Sequence, residues 1–476
     1  MQDQANSGVF HRETWSEHDP VDFEIGLEGG QPEGRSKPVS WGDRLWKAAK
    51  SGRKLTESRF KPKKTPPVQE SGELIVGLDI GTTKICAVAG EVRDDQVDII
   101  GMGVHPSVGL RKGVVVNIES TVKSIRKAVE EAEMMAGCDI SSVFVGIAGS
   151  HIRGFNSEGL IPIRTSEIRQ DDIDKVVDAA TAVPIPPDQE IIHVLPQEFT
   201  VDEQEGIQSP LGMTGIRLEA DVHIVTGSGS SVHNIIKCCN HAGLTVSDVV
   251  LEPLASACAV LTPEEMELGI AILDIGGGTS DLAIFSEKGI RHTFVLGLGG
   301  HNLTNDLSIG LRTPLREAER LKEKYGCALS SQIDKDQTIE VPSVGGRQPR
   351  KLSRKIMGEI LEPRMEEMLA LINQELVRSK HKDMINAGIV LTGGTSLLEG
   401  LEDLAEQIFD LPVRIGCPQK IGGIKDIVNT PQCATGVGLV VFGMKHEPGR
   451  TGFVRKEKKM FGKISNGFKD WLKNVM

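Results

Sequence analysis

The chain has 476 residues, a length that allows about three domains and a sizeable buried core. A net charge of -12 argues against nucleic-acid binding, and no apolar run approaches the ~18–20 residues of a membrane-spanning helix. The cysteines, at 86, 138, 238, 239, 258, 327, 417 and 433, show no CxxC or metal-like spacing, as expected of reduced thiols buried as small hydrophobes in a cytosol.

Charge is unevenly placed. Residues 1–34 carry eight acids and one basic residue, residues 35–64 eleven basic residues and two acids, and residues 455–476 seven basic residues and two acids. Such asymmetry reads as tails outside a folded core. Residues 1–72 are polar and rich in Gly, Pro and charge, the composition of a disordered extension, and they lack the apolar stretch of a signal peptide. One island, "VSWGDRLWKAAKSGRK", sets Trp41, Leu45, Trp46 and Ala49 at helical spacing. It reads either as a short binding helix for a partner or membrane surface, or as a transient helix without a role.

From residue 73 the texture is globular. "ELIVGLDI", "KICAVAGEV" and "VDIIGMGV" read as three successive strands, 118–137 as a helix and "SSVFVGIAG" as a buried strand. Residues 151–226 mix strands with one helix near 171–182, which stops at "VPIPP". The rhythm then repeats: a helix at 230–242, strand "TVSDVVL", helix "EPLASACAVL", and strands at 270–275, 280–286 and 290–296. Helices are expected at 301–311 and 314–325, and a long helical stretch at 350–380 kinked or split at Pro363. Strand "AGIVLTGG", helix 396–409, strand "PVRIG" and a last helix near 433–444 follow. The fold class is α/β with two similar three-strand openings, as duplication of a half-domain produces.

Those openings carry one motif twice, "VGLDIGTTKI" at 76–85 and "ILDIGGGTSDLAIF" at 272–285. In each, a strand ends in an Asp, a glycine turn follows, and a second strand leaves. Glycine permits close approach to a ligand, and successive backbone N–H groups in such a turn make a concave anion site. Gly81, Thr82, Thr83 and Lys84, with Gly276, Gly277, Gly278 and Thr279, are therefore candidate phosphate-binding residues. Asp79 and Asp274 are candidate groups for Mg²⁺, which favours few carboxylates, waters and phosphates. One copy could be an ordinary tight hairpin; two copies in matching half-domains favour ATP held from both sides. A third motif, "IVLTGGTSLLEG", places Gly393, Gly394 and Ser396 where a ribose or flat ring can pack on the backbone, with Thr395 or Ser396 also able to cap a helix. No GxxxxGK[ST] or GxGxxG occurs.

Two phosphate hairpins followed by a Gly-Gly motif resemble the actin, Hsp70 and sugar-kinase superfamily. Within it, "GLDIGTTKI", "DIGGGTSDLAIF", "GCALSSQIDKDQTIEVPSVGGRQPR" and "AGIVLTGGTSLLEG" resemble the bacterial FtsA cell-division family over about residues 73–445. The resemblance implies an actin-like two-lobe ATPase fold with an FtsA-type inserted subdomain. Its core subdomains would be 73–149 with 227–262 in the first lobe, and 263–299 with 386–446 in the second. The inserted subdomain would be 150–226 and the second lobe's small subdomain 300–385. It further implies that Glu319 and Lys322 of "REAERLKEKYG" approach the ribose, although the same pair could be an exposed i,i+3 charge pair. Glu252 of "LEPLASA" resembles the acid that related filament ATPases use for hydrolysis, but Glu at a helix start is also ordinary capping chemistry. ATP binding with weak or no turnover is the expected activity. The expected partners are the FtsZ C-terminal tail, met by Arg364 and Glu367 of "LEPRMEEML", further copies of the chain in filaments, and later divisome proteins. The 72-residue extension departs from the family pattern, in which the first phosphate strand starts near the N-terminus.

The tail "RKEKKMFGKISNGFKDWLKNVM" at 455–476 follows a linker at 447–454 and sets Met460, Ile464, Phe468, Trp471, Leu472 and Val475 on one helical face, with Phe461 and lysines at its borders. A basic amphipathic helix with bulky apolar residues suits an anionic membrane surface. Together with this tail, the resemblance implies a location on the cytoplasmic face of the membrane at the division site. The alternative class is a small-molecule kinase or other ATPase of the superfamily, though no feature marks a substrate pocket.

Overall fold

The computed structural model describes residues 73–445 except 94, 95, 166 and 346. The Trp41–Trp46 island and the proposed C-terminal helix with Phe461, Ile464, Phe468, Trp471 and Leu472 lie outside the described residues.

Two sheets share one connectivity. In the first, strand Glu73–Ile80 pairs antiparallel with Lys84–Arg93, which pairs antiparallel with Gln96–Pro106. On its other side Glu73–Ile80 runs parallel to Ser142–Ile147, which runs parallel to Thr245–Leu251. The second sheet repeats this order with Ile270–Ile275, Ser280–Ser286, Gly289–Leu296, Ile389–Thr392 and Val413–Ile415. The central strands of both are buried along nearly their whole length. That explains why they read as continuous apolar runs rather than alternating ones, since helices cover both faces.

Between Ser142–Ile147 and helix Gly229–Ala242 the chain builds a separate four-stranded antiparallel sheet from Arg153–Pro162, Gln189–Val201, Gln204–Ile207 and Arg217–Ser228. Helix Gln170–Thr181 packs on it, and the two share a core that includes Val176, Val177, Leu218 and Val222. In the second lobe the corresponding excursion leaves after Gly289–Leu296 and is mainly helical, with Gly300–Gly310, Leu315–Tyr325 and Arg354–Arg378 around a core of leucines and methionines.

Three expectations are corrected. The stretch expected at 350–380 is not split at Pro363: Arg354–Arg378 is one 25-residue helix with that proline inside it, preceded by strand Arg350–Ser353. Burial of Met357, Leu361, Met365 and Met368 outweighs the proline penalty of ~3 kcal/mol. The helix expected at 396–409 begins only at Leu401, after a 3₁₀ turn at Gly394–Leu397. Residues 386–446 do not stay in the second lobe: strand Ile421–Gly423 joins the edge of the first sheet beside Gln96–Pro106, and helix Ala434–Lys445 packs on the first sheet's central strand. Glycines allow that packing, because a β-carbon on Gly77 would fall 2.5 Å from the Gly436 carbonyl oxygen and one on Gly438 1.9 Å from that of Ala255. Helices Glu252–Val260 and Ala434–Lys445 therefore lie against each other between the lobes.

Candidate functional site

The two motif hairpins meet. A β-carbon on Gly277 would fall 1.8 Å from the Thr83 hydroxyl oxygen, and one on Gly278 2.5 Å from that of Thr82. Only residues without side chains permit such an approach. The second turn is held from behind: Gly300 and His301 donate their amides to the carbonyls of Gly276 and Gly277 at 2.9 and 2.7 Å, and the Thr395 hydroxyl donates to Gly276 at 3.0 Å. The Gly277 and Gly278 amides have no backbone partner among the described residues, so their N–H groups remain available to an anion. In the first turn Thr82 accepts from the Gly113 amide at 3.1 Å, and Lys84 reaches the Gln432 carbonyl.

Behind the turns lies an excess of buried carboxylates. Asp274 sits directly opposite Asp281 in the second hairpin, where the first hairpin sets Asp79 opposite Cys86. Asp274 Oδ2 accepts from Ser256 at 2.9 Å and Thr435 at 3.2 Å, hydroxyls from the two inter-lobe helices. Asp281 Oδ2 accepts from Thr279 at 2.7 Å while its Oδ1 is buried without a partner. Burial pushes the Asp79 carboxyl up to about 6, against the pull of Lys84 and with the charge of Asp274 adding. Burial and Asp274 push Asp281 up to about 8, although Thr279 works against it. Asp274 is also raised, chiefly by burial. Glu252 is raised well above the usual carboxylate range, by burial first and then by Asp79, Asp281 and Asp274. Lys84 is pulled both ways: burial depresses its amine, but interaction with Cys86 and Asp79 foremost holds it above the ordinary lysine value.

Like charges at this density in a low dielectric favour either protonation or a cation. No cluster of three or more His, Cys, Asp or Glu side chains among the described residues is grouped tightly enough to hold a metal by itself. That donor set fits Mg²⁺, which keeps waters and takes phosphate oxygens, rather than a metal caged by protein. Asp281 was not singled out by sequence reasoning. The signal was its seven-residue offset from Asp274, which a tight hairpin turns into a cross-strand pair.

The third motif closes the same space. Gly393 has a φ of +83°, and a β-carbon there would fall 2.2 Å from Asp274 Oδ1. Gly394 is open apart from Gln432, 3.7 Å away, which leaves its backbone free to carry a flat group. Ser396 donates to the Gly393 carbonyl at 2.7 Å and Thr395 to the second hairpin, so neither caps a helix. Lys322 and Glu319 are no exposed pair. The Lys322 ammonium, 11% exposed, lies 2.9 Å from Glu319, 2.9 Å from the Thr304 hydroxyl and 3.1 Å from the Gly300 carbonyl, next to the second turn. Arg364 and Glu367 sit apart from this site, where Asp306, missed in the sequence, accepts from Arg364 at 2.6 and 3.3 Å and Glu367 joins the same guanidinium.

Comparison with known proteins agrees with this architecture. A family model described as "Cell division protein FtsA" matches residues 271–438, and one described as "SHS2 domain inserted in FTSA" matches 149–226. The chain is 53% identical over 379 residues to the cell division protein FtsA of Pseudomonas aeruginosa, covering 79% of this chain and 91% of that protein. The chain belongs to the FtsA family. Identity to the FtsA of Escherichia coli K12 is 41% over 411 residues, covering 85% of this chain and 96% of that protein. The SHS2 match coincides with the inserted four-stranded sheet, and the duplicated sheets are the two lobes of the actin-like fold. A solved chain of the "PilM-PilN type IV pilus biogenesis complex" superposes with a TM-score of 0.58 at 17% identity, covering 79% of this chain and 99% of that one, a likeness of fold. Among the described residues of this FtsA-family chain no helix is long and apolar enough to cross a membrane.

Proposed function

We propose that this cell division protein binds ATP with Mg²⁺ between its two hairpins and tethers FtsZ filaments to the cytoplasmic face of the membrane. The observation that carries the nucleotide reading is the pair of touching glycine turns backed by Asp79, Asp274, Asp281 and Glu252 with Lys84. The turn amides and the hydroxyls of Thr82, Thr83 and Thr279 would receive the phosphates, and Asp79 and Asp274 would hold waters around the ion. Gly394 would carry the adenosine, with Lys322 and Glu319 beside its ribose. Mg²⁺, when bound, screens the phosphate charge and that of the carboxylates. Burial first, and then the acids around it, raise the Glu252 carboxyl well above the usual carboxylate range, a direction that works against it as a base in the free chain.

The tether reading draws on family membership and on the basic amphipathic sequence at 455–476. Arg364 and Glu367 would meet the FtsZ tail, copies of the chain would associate head to tail into filaments, and later divisome proteins would be recruited at the division site. The test is co-sedimentation of FtsZ with anionic liposomes in ATP, using the full chain and a chain cut after Gly452. FtsZ should pellet only with the full chain. A pellet that holds the full chain but leaves FtsZ in solution overturns the partner, and no pelleting of either overturns the tether.

A further inference from the structure

The inserted subdomain leaves and re-enters the first lobe, yet its sheet also lies against the edge strand Gly289–Leu296 of the second. His223 is fully buried there, with Nδ1 2.6 Å from Asn156 Oδ1 and Nε2 2.8 Å from the Thr293 hydroxyl. Burial pushes its pKa down to about 3, so the ring is neutral; an Nδ1–H donates to Asn156 and Nε2 accepts from Thr293. Gln197 donates to the Ile290 carbonyl at 2.7 Å, Asn156 to that of Arg291 at 3.3 Å, and the Arg291 guanidinium to Glu198 at 3.2 Å. Insert side chains thus grip one strand of the other lobe, with His223, Gln197, Thr293 and Arg291 all buried. Gly154 lets the surfaces close: a β-carbon there would fall 2.1 Å from the Thr293 hydroxyl oxygen and 2.7 Å from His223 Nε2.

Strand Gly289–Leu296 belongs to the sheet that carries the second hairpin, whereas the insert is rooted in the sheet that carries the first. Parting the hairpins by rotating the lobes therefore strains this junction. Its buried donors and acceptors lose their partners together, so it resists as a unit. We propose that the inserted subdomain is a latch across the lobes, and that its Gly154–His223–Thr293 contact limits how fast the nucleotide cleft opens and exchanges its ligand. This rests on the ATP reading and goes beyond it.

The test uses the full chain loaded with a fluorescent ATP analogue and chased with excess ATP in a stopped-flow instrument. Gly154→Val wedges the junction, and His223→Ala with Thr293→Ala removes its bonds without adding bulk. Either change should speed release at least roughly fivefold, with circular dichroism unchanged. Hydrogen exchange of the amides at 289–296 reports whether the junction has parted. Parted amides with release at the unmodified rate overturn the latch, as does unchanged release in the double variant if Gly154→Val fails to fold. Should the unmodified chain bind no analogue, the ATP reading has failed. The latch is then judged by hydrogen exchange at the hairpin turns, where faster exchange in the variants supports it and unchanged exchange refutes it.

Discussion

Asp274 and Asp281 face each other across the second hairpin, both buried, with one oxygen of Asp281 left without a partner. A cross-strand pair of like charges is destabilising, and it persists in a fold when the site is shaped for something else. Its pH consequence can be worked out. The folded carboxyls of Asp79 and Asp281, near 6 and 8, lie above their ordinary 3.8, so the folded chain holds extra protons and loses stability as pH rises through those values. His223, which is buried, and the half-buried His151, His292 and His381 are shifted down and cost stability only as pH falls below about 6.5. Between pH 6.5 and 8 the histidines no longer add to the slope, and Asp281 acts together with the other raised carboxyls, Glu252 among them. Asp281→Asn should flatten the fall in Tm over that window and stabilise the nucleotide-free chain at pH 8 by roughly 1–2 kcal/mol. Thermal melts at pH 6.5 and 8 check this, and equal slopes in both proteins would count against it.

Saturating ATP and Mg²⁺ should have a similar effect on the unmodified chain, because a bound cation removes the reason to keep the protons. Their addition should raise Tm more at pH 8 than at pH 6.5. Melts with ATP and EDTA separate the contribution of the ion.

Gly277→Ala places a methyl group where the Thr83 hydroxyl now sits. Overpacking costs about 1–3 kcal/mol, so ATP affinity should fall about five- to a hundredfold. Thr83→Gly in the same chain should restore part of the loss. Titration with a fluorescent ATP analogue measures both, and equal affinity of all three proteins would show that the turns do not need to touch.

Lys322→Ala leaves Glu319 beside the Gly300 carbonyl with no cation, next to the second turn. ATP affinity should drop roughly tenfold, in line with a charged hydrogen bond worth ~1.5–3 kcal/mol. Glu319→Gln should lose less, because Lys322 keeps Gly300 and Thr304. Calorimetric titration of ATP orders the two variants.

Arg364 is held by Asp306 and Glu367 at the surface of the second lobe's helical excursion. Arg364→Ala should cost under about 1 kcal/mol of stability, as partly exposed ion pairs do, while weakening binding of a labelled FtsZ C-terminal peptide at least roughly tenfold. Asp306→Asn, which frees the guanidinium without removing it, should weaken the peptide less. Fluorescence anisotropy distinguishes the two.

The sequence by itself determined the elements and the duplication. Apolar runs ending in Asp-Ile-Gly at Asp79 and Asp274 read as strand, turn and strand, because burial on both faces calls for such runs and glycine suits the tight turns. It also exposed the family through motifs that are local in the chain. Only the tertiary structure decided which residues separated in the chain meet. The return of Ile421–Gly423 to the first sheet, the hydroxyls of Ser256 and Thr435 on Asp274, and the bond from Thr293 to His223 join residues far apart in sequence. None leaves a periodic trace along the chain, since each depends on how buried faces pack. Pro363 shows the same physics in reverse: its local rule predicts a kink or a split, and the long-range burial of the helix around it keeps the helix from splitting.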